Sequence, residues 1–192
     1  VKSDVVLTAA HCLMRNGFAV QASSVTYHSQ YHYGSPVGES AQVQNFALGG
    51  VKNKAQNPGD WALLKLDRAL GESIGGLPIG SLQKSDLHKA ILRVPGFDLS
   101  HVTTKQYGLS MLVNQTLAHP KEFVSTGVLA HDAPTGPGVS GAPMLRLNKG
   151  KWEVVAITVS EAARGNCRVY NKVNCYNLAI TSDQWMSALQ NF

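Results

Sequence analysis

Hydrophobic and polar positions alternate along the chain in short blocks, and turn-forming residues separate the apolar runs. This pattern predicts a protein built from β-strands. The predicted strands cover residues 5–10, 19–27, 41–48, 61–66, 90–94, 109–116, 123–130, 143–147, 152–160 and 176–180. Helical spacing occurs only at the C-terminus, where Ser182 is a candidate cap. The predicted apolar face of that helix consists of Trp185, Ala188, Leu189 and Phe192.

Three residues stand in contexts that suggest chemistry. His11 follows an apolar strand, Asp60 follows Asn-Pro-Gly and precedes another apolar run, and Ser140 lies in a glycine-rich turn. A serine hydroxyl is a weak nucleophile and needs an adjacent base. Histidine suits that task because its usual pKa is near 6.5, and a carboxylate can orient the ring. The three residues therefore form a candidate catalytic triad in the order His, Asp, Ser.

The local motifs around these residues resemble one known family. Residues 8–12 are Thr-Ala-Ala-His-Cys, residues 60–64 are Asp-Trp-Ala-Leu-Leu, and residues 138–143 are Gly-Val-Ser-Gly-Ala-Pro. In motif and order the chain resembles the chymotrypsin-fold, trypsin-like serine endopeptidases, in particular the secreted microbial type. The resemblance implies an enzyme that hydrolyses peptide bonds through an acyl-enzyme intermediate.

The same resemblance implies an all-β fold of two six-stranded antiparallel Greek-key β-barrels and a C-terminal helix. Residues 1–80 would form the first barrel, with His11 and Asp60, and residues 81–192 the second, with Ser140. Members of the family usually carry a strand pair before the histidine motif. Since His11 lies near the first residue given, we expect the first barrel to be incomplete at its N-terminal side.

The resemblance also assigns a role to each residue of the site. Ser140 would attack the substrate, His11 would carry the proton, and Asp60 would orient His11. The backbone N–H groups of Gly138 and Ser140 would form the oxyanion hole. Glycine at position 138 allows a backbone conformation that a side chain would resist.

Substrate specificity is predicted from the positions that form the primary pocket in the family. Pro134 stands where trypsin-like enzymes carry an Asp that selects Lys or Arg, and Val159 stands where glutamyl endopeptidases carry a His. Neither specificity is therefore expected, and a smaller or apolar pocket is favoured. The predicted lining residues are Pro134, Thr135, Thr158, Val159, Ser160 and Ala162.

Composition narrows the possible partners. Charged residues make up 15% of the 192 residues. The net charge is +5, and the Lys and Arg residues are scattered along the chain rather than grouped in basic runs. We therefore expect no nucleic-acid partner. No apolar stretch reaches membrane-spanning length, so no membrane partner is expected. The predicted partners are protein or peptide substrates, the expected state is a monomer, and no metal or cofactor is expected.

The chain contains three cysteines, an odd number. Cys167 and Cys175 could close a short loop beside the substrate cleft, and such a disulfide would stabilise the fold by roughly 2.5 kcal/mol. In related enzymes the cysteine after the histidine commonly bonds one in the preceding strand, which leaves Cys12 without that partner here. Use of a disulfide favours a secreted protein.

Two other functions are alternatives to a serine endopeptidase. A protease-like binding protein would use the fold as an inactive scaffold, but such proteins usually lose a triad residue, and all three are present. An esterase of the α/β-hydrolase type would need the serine first in the chain and alternating helices. Neither feature occurs in this sequence, so the binding protein stays as the alternative.

Overall fold

Two antiparallel β-sheets, one from each half of the chain, organise the molecule. The computed structural model describes residues 2–32, 35–50, 57–98, 111–133, 135–160 and 176–192. The strands of the first half are β1 (Val5–Thr8), β2 (Met14–Arg15), β3 (Phe18–Ala19), β4 (Thr26–His28), β5 (Tyr31–His32), β6 (Ser35–Pro36), β7 (Ser40–Leu48) and β8 (Ala62–Leu66). The strands of the second half are β9 (Leu92–Asp98), β10 (Met111–Ala118), β11 (Pro120–Ser125), β12 (Val128–His131), β13 (Pro143–Asn148), β14 (Lys151–Ser160) and β15 (Asn177–Thr181).

The two sheets differ in size. Within the described ranges, the first sheet has four strands in the order β1-β8-β7-β4, and β1 lies at its edge. The second sheet has seven strands in the order β10-β9-β13-β14-β15-β12-β11 and forms a nearly closed barrel. The pairs β2–β3 and β5–β6 are separate two-stranded hairpins. The all-β, two-barrel fold is confirmed, with four and seven strands observed where six per barrel were predicted.

A shared apolar core joins the two sheets. Val5 and Leu63 from the first sheet belong to the same buried cluster as Ile157 and Ile180 from the second. The cluster also contains Trp61, Val128, Leu178, Trp185 and Leu189. Because burial of apolar surface is the main favourable contribution to folding, this cluster holds the two sheets against each other.

Each sheet also encloses a core of its own. In the first sheet the core is formed by Leu13, Val43, Ala62, Leu64 and Leu66. In the second sheet it is formed by Leu92, Val94, Leu129, Met144 and Ala156. Strands β12 and β15 have buried residues on both faces, since one face lies in the barrel core and the other in the shared core.

Two predicted strands differ from the expectation, since one ends early and the other is interrupted. The strand predicted over residues 5–10 ends at Thr8, and a 3₁₀ helix covers Ala10–Leu13. The strand predicted over residues 19–27 is interrupted by a 3₁₀ helix at Ala22–Ser24. There the Ser24 hydroxyl donates to the Gln21 carbonyl at 2.7 Å, a local hydrogen bond that competes with strand pairing.

A hairpin replaces the single strand predicted over residues 123–130. Strands β11 and β12 pair with each other, and Gly127 between them has φ of 76°. A two-residue turn of this kind favours glycine because positive φ costs glycine little. The Thr-Gly pair in the sequence was the signal for this turn.

The C-terminal segment is helical, but its start differs from the prediction. A 3₁₀ helix covers Ser182–Gln184, and the α-helix that follows, α2, covers Met186–Asn191. Ser182 does not cap it, because its hydroxyl donates to the Gly80 carbonyl at 2.7 Å. A short helix α1, Gly71–Ile74, was not predicted.

We expect Trp185 to be the most costly single residue of the shared core to remove. Its side chain is fully buried, so Trp185→Ala should lower the free energy of unfolding by about 3–5 kcal/mol. Trp185→Phe should cost less, because it keeps an aromatic ring and removes an indole N–H that has no hydrogen-bond partner among the described residues. Chemical denaturation measures both variants. The matched control is Phe18→Ala, since Phe18 is 78% exposed, and an equal loss in that variant would contradict the assignment.

Candidate active site

His11 lies on the 3₁₀ helix that follows β1. The buried residues Ala9 and Ala10 anchor this helix, and the N–H of Cys12 donates to the Ala9 carbonyl at 3.2 Å. Small side chains are needed before His11 because both alanines are completely buried. The tight turn therefore presents the imidazole at the end of the first sheet.

Asp60 is positioned by the turn that leads into β8. The Asp60 N–H donates to the Asn57 carbonyl at 3.2 Å, and the Gly59 N–H donates to Asn57 Oδ1 at 3.0 Å. A Cβ at Gly59 would meet the carbonyl oxygen of Gly49 at 2.6 Å, so only glycine allows this close approach. The buried Trp61 follows at once and anchors the turn in the shared core.

Asp60 holds His11 through two hydrogen bonds. Oδ1 accepts the backbone N–H of His11 at 2.9 Å, and Oδ2 lies 2.8 Å from Nδ1 of the ring. The two contacts fix both the backbone and the ring of His11, and they leave Nε2 as the nitrogen that can exchange a proton elsewhere. The Asp60 side chain is 18% exposed, so solvent screens this pair only in part.

The environment of His11 favours its protonated form. The hydrogen bond with Asp60 raises the pKa of His11 from its ordinary 6.5 to about 10, with a further hydrogen-bond contribution from Cys12. Partial burial opposes this shift because it disfavours the charged imidazolium. An imidazolium stabilised in this way is the species that forms when histidine takes up a proton from a nucleophile.

Ser140 lies in a turn that is hydrogen-bonded to β14 of the second sheet. The Val139 N–H donates to the Gly136 carbonyl at 3.3 Å, and the Gly141 N–H donates to the Thr158 carbonyl of β14 at 2.7 Å. Gly138 has φ of 98°, a conformation that favours glycine. Within the described residues, the N–H groups of Gly138 and Ser140 donate to no protein acceptor. Both donors are therefore available to an oxygen outside the turn.

The two sheets meet where the serine turn touches the histidine motif. Gly141, with φ of 84°, packs so closely on Thr8 and Ala9 that a Cβ there would overlap the Thr8 hydroxyl. Cys12 Sγ lies 3.9 Å from the Ser140 carbonyl oxygen. The Ser140 hydroxyl makes no hydrogen bond with His11 or with any other described residue. Such bonds are often long in sites without substrate.

Comparison with known proteins now defines the family. A model of the Trypsin family matches residues 1–180 of the chain.

The chain belongs to the trypsin family. It is a chymotrypsin-like serine endopeptidase. A solved structure of a Glu endopeptidase in complex with MPD is similar in fold, with a TM-score of 0.74 and 16% sequence identity. That match covers 100% of this chain and 83% of the other. A search of curated proteins found no match.

The predicted pocket residues of this trypsin-family chain fall into three groups. Thr135 is buried and accepts a hydrogen bond from Asn177 at 2.7 Å, while Thr158 binds the serine turn through its carbonyl oxygen. Val159 packs into the shared core rather than beside Thr135. Ser160 ends β14, and Pro134 and Ala162 lie outside the described residues, as do Cys167 and Cys175 of the predicted disulfide.

Cys12 and Asp132 have contacts that the sequence did not indicate. Cys12 carries an exposed free thiol at the active site. Asp132 accepts a hydrogen bond from the backbone N–H of His119 at 2.7 Å and forms an ion pair with Lys121 at 2.7 Å. Both contacts lower the pKa of Asp132, against the effect of its partial burial. Asp132 is therefore paired and supplies no free charge to a pocket.

Asn177 is a further residue that sequence analysis did not identify. It lies at the start of β15, opposite His131 of β12, and its buried side chain binds the segment before the serine turn. A single Asn after a predicted strand boundary gives no signal for such a role. Among the described residues, no group of three or more His, Cys, Asp or Glu could hold a metal ion. No described helix is long and apolar enough to cross a membrane.

We expect Asp60→Asn to lower the pKa of His11 from about 10 toward its ordinary 6.5, because the variant removes the charged acceptor. Cys12→Ala should lower the pKa in the same direction by less. NMR titration of the His11 ring measures both shifts. Since only the neutral imidazole accepts a proton, hydrolysis by the unaltered chain should rise with pH toward about 10. An unchanged His11 pKa in Asp60→Asn would contradict the assignment.

The same shift predicts how stability depends on pH. The pKa of His11 is raised in the folded state, so the pair stabilises the fold fully below pH 6.5, and this contribution is lost as the pH rises toward 10. The difference in free energy of unfolding between the unaltered chain and Asp60→Asn should therefore be larger near pH 6.5 than near pH 10. Urea unfolding at the two pH values measures it, and a constant difference would contradict the prediction.

Proposed function

We propose that this endopeptidase cleaves peptide bonds with a triad of Ser140, His11 and Asp60. The observation that carries the proposal is the pair of hydrogen bonds from Asp60 to His11, at 2.9 and 2.8 Å, with the Ser140 turn packed against the same element. Nδ1 is held by the carboxylate, so Nε2 is the nitrogen that serves Ser140. The proposal requires the Ser140 hydroxyl to reach Nε2 when substrate binds.

The first half of the reaction forms the acyl-enzyme. Ser140 Oγ attacks the carbonyl carbon of the substrate while His11 Nε2 takes the hydroxyl proton. Asp60 stabilises the imidazolium through Nδ1. The protonated ring then gives its proton to the leaving amine, the peptide bond breaks, and the acyl group stays on Ser140. In the second half, water attacks with His11 again as base and releases the carboxylic acid.

The oxyanion of each tetrahedral intermediate would bind to the backbone of the serine turn. The N–H groups of Gly138 and Ser140 support this role because neither donates to a described protein acceptor. A preorganised donor of this kind lowers the activation barrier by roughly 3 kcal/mol. The left-handed backbone at Gly138 supports the same role, since a glycine there costs the turn little strain.

The substrates we propose are proteins or peptides with a small or apolar side chain before the cleaved bond. Two observations support this proposal: Pro134 stands in the sequence position of a pocket acid, and Asp132 is paired with Lys121, so neither position offers a free negative charge. We further propose that the enzyme is a secreted monomer with a disulfide between Cys167 and Cys175. The low content of charged residues, 15%, supports secretion.

We expect the active-site serine to be identified by a fluorophosphonate probe. The unaltered chain should be labelled at Ser140, and Ser140→Ala should lose both labelling and hydrolysis of a peptide substrate, because the nucleophile is gone. Mass spectrometry of the labelled peptide makes the measurement. Cys12→Ala is the matched control, since it removes the neighbouring thiol and keeps the serine. Labelling that persists in Ser140→Ala would refute the triad, and an unaltered chain without any activity would favour the inactive binding protein.

A cleavage-site profile tests the proposed specificity. We expect the unaltered enzyme, given a peptide library, to prefer small or apolar residues before the cleaved bond, because Pro134 stands in place of the acid and Asp132 is paired with Lys121. Ser140→Ala serves as the background sample. A clear preference for Arg or Lys would show that the pocket has been assigned to the wrong residues.

A further inference from the structure

We propose that Asn177 is a positioning residue that holds the segment leading into the Ser140 turn. This inference rests on the proposed triad and adds a residue that does not touch substrate. It concerns how the oxyanion-binding N–H groups are kept in place while they bind no other protein group.

The amide nitrogen of Asn177 lies within hydrogen-bond distance of three acceptors. Its Nδ2 lies 2.8 Å from the carbonyl oxygen of Ala133, 3.2 Å from the carbonyl oxygen of Thr135 and 2.7 Å from Thr135 Oγ1. Backbone carbonyls can only accept, so the NH₂ group, rather than the amide oxygen, must face them. The side chain therefore binds the carbonyl oxygens of Ala133 and Thr135, the residues on either side of residue 134.

The site of these bonds is closed to water. Asn177 is 4% exposed and Thr135 is 8% exposed. In a buried site, a backbone carbonyl that loses its protein donor is left unsatisfied, which costs its full desolvation penalty. The loop carrying Ala133 and Thr135 must then shift to satisfy its carbonyls, and the turn that begins at Gly136 moves with it.

His131 reinforces the same loop from the neighbouring strand. Its Cα is paired with that of Asn177, and its Nδ1 accepts the N–H of Ala133 at 3.3 Å. Burial lowers the pKa of His131 to about 4, so the ring is neutral at physiological pH and Nδ1 can accept. Ala133 is thus bound through both its N–H and its carbonyl group.

The serine turn is in this way tied to two adjacent strands. Its start is bound by Asn177 of β15 through Thr135, and its end is bound by the Thr158 carbonyl of β14 through the Gly141 N–H at 2.7 Å. Between these two anchors lie Gly138 and Ser140, whose own N–H groups stay uncommitted. A turn that cannot use those donors for its own stability depends on anchors outside it.

The proposal is tested by kinetics and stability of Asn177→Ala together. We expect kcat for a peptide substrate to fall by about 100-fold while KM changes little, because the misplaced donors act on the transition state. The affinity for a peptide aldehyde, whose adduct places an oxyanion in the same site, should fall in parallel. A role confined to stability would lower the melting temperature and leave both kcat and aldehyde affinity unchanged.

Thr181→Val is the matched control. Thr181 is 1% exposed, lies at the other end of β15, and its hydroxyl is 3.4 Å from the Gly127 carbonyl. The variant removes a buried hydroxyl from the same strand and should lower stability without lowering kcat. An equal loss of kcat in Thr181→Val would overturn the proposal, because any weakening of β15 would then be sufficient.

Thr135→Val decides the question if Asn177→Ala does not fold. It removes one acceptor and keeps both backbone carbonyls, so the fold should persist with a smaller loss of kcat in the same direction. Because Thr135 is also a proposed pocket residue, the loss must be equal for substrates with different side chains before the cleaved bond, and a loss confined to some of them would overturn the proposal. An unchanged kcat in that variant would overturn the proposal. An active unaltered enzyme with a fully active, folded Asn177→Ala would refute the positioning role alone. An unaltered chain that neither cleaves peptides nor reacts with fluorophosphonate would refute the triad and this inference together.

Discussion

The packing of one sheet against the other is the constraint on which the candidate site depends. His11 and Asp60 lie at the end of the first sheet and Ser140 lies beside the second, so no local sequence contact sets the separation between the proposed base and the proposed nucleophile. That separation is set by the shared apolar core, in which Val5 and Leu63 meet Ile157 and Ile180, and by the close contact of Gly141 with Thr8. Trp61, the residue after Asp60, lies in the same core. Burial of apolar surface therefore stabilises the chain and also brings together the residues of the proposed triad.

Much of this arrangement could be predicted from the sequence, because the information is local. The apolar runs predicted the central strands, and the motifs around His11 and Asp60 predicted the pair that the two hydrogen bonds form. What could not be predicted depends on contacts between distant segments. Ser182 looks like a helix cap in the sequence, yet its hydroxyl bonds the carbonyl of Gly80, 102 residues away. Asn177 lies 42 residues from Thr135, and its role as a donor arises only when β15 pairs with β12.

The turn proposed to bind the oxyanion is stabilised by residues outside it that take no part in the reaction. A backbone N–H that is kept for an oxyanion cannot also stabilise its own turn, and an unpaired buried donor would cost about 1–3 kcal/mol. Gly138 is exposed and Ser140 is partly exposed, so water can satisfy both donors until substrate arrives. The buried residues Ala133 and Thr135 nearby are instead bound by the Asn177 side chain, and the N–H of the partly buried Gly141 donates to the Thr158 carbonyl. In this turn the exposed backbone donors are thus left open, whereas the carbonyl groups of Ala133 and Thr135 are bonded.

The separation of the site between two sheets has a consequence for how such an enzyme can diversify. The hydrogen-bonded pair of His11 and Asp60 lies at the end of the first sheet, whereas Thr135 and Thr158 of the proposed pocket lie in or beside the second. Substitutions that reshape recognition can therefore accumulate in one half of the molecule without disturbing the ionic pair in the other. Selectivity and reactivity can therefore become separately heritable traits of a single chain, even though the shared core and the serine turn join its two halves.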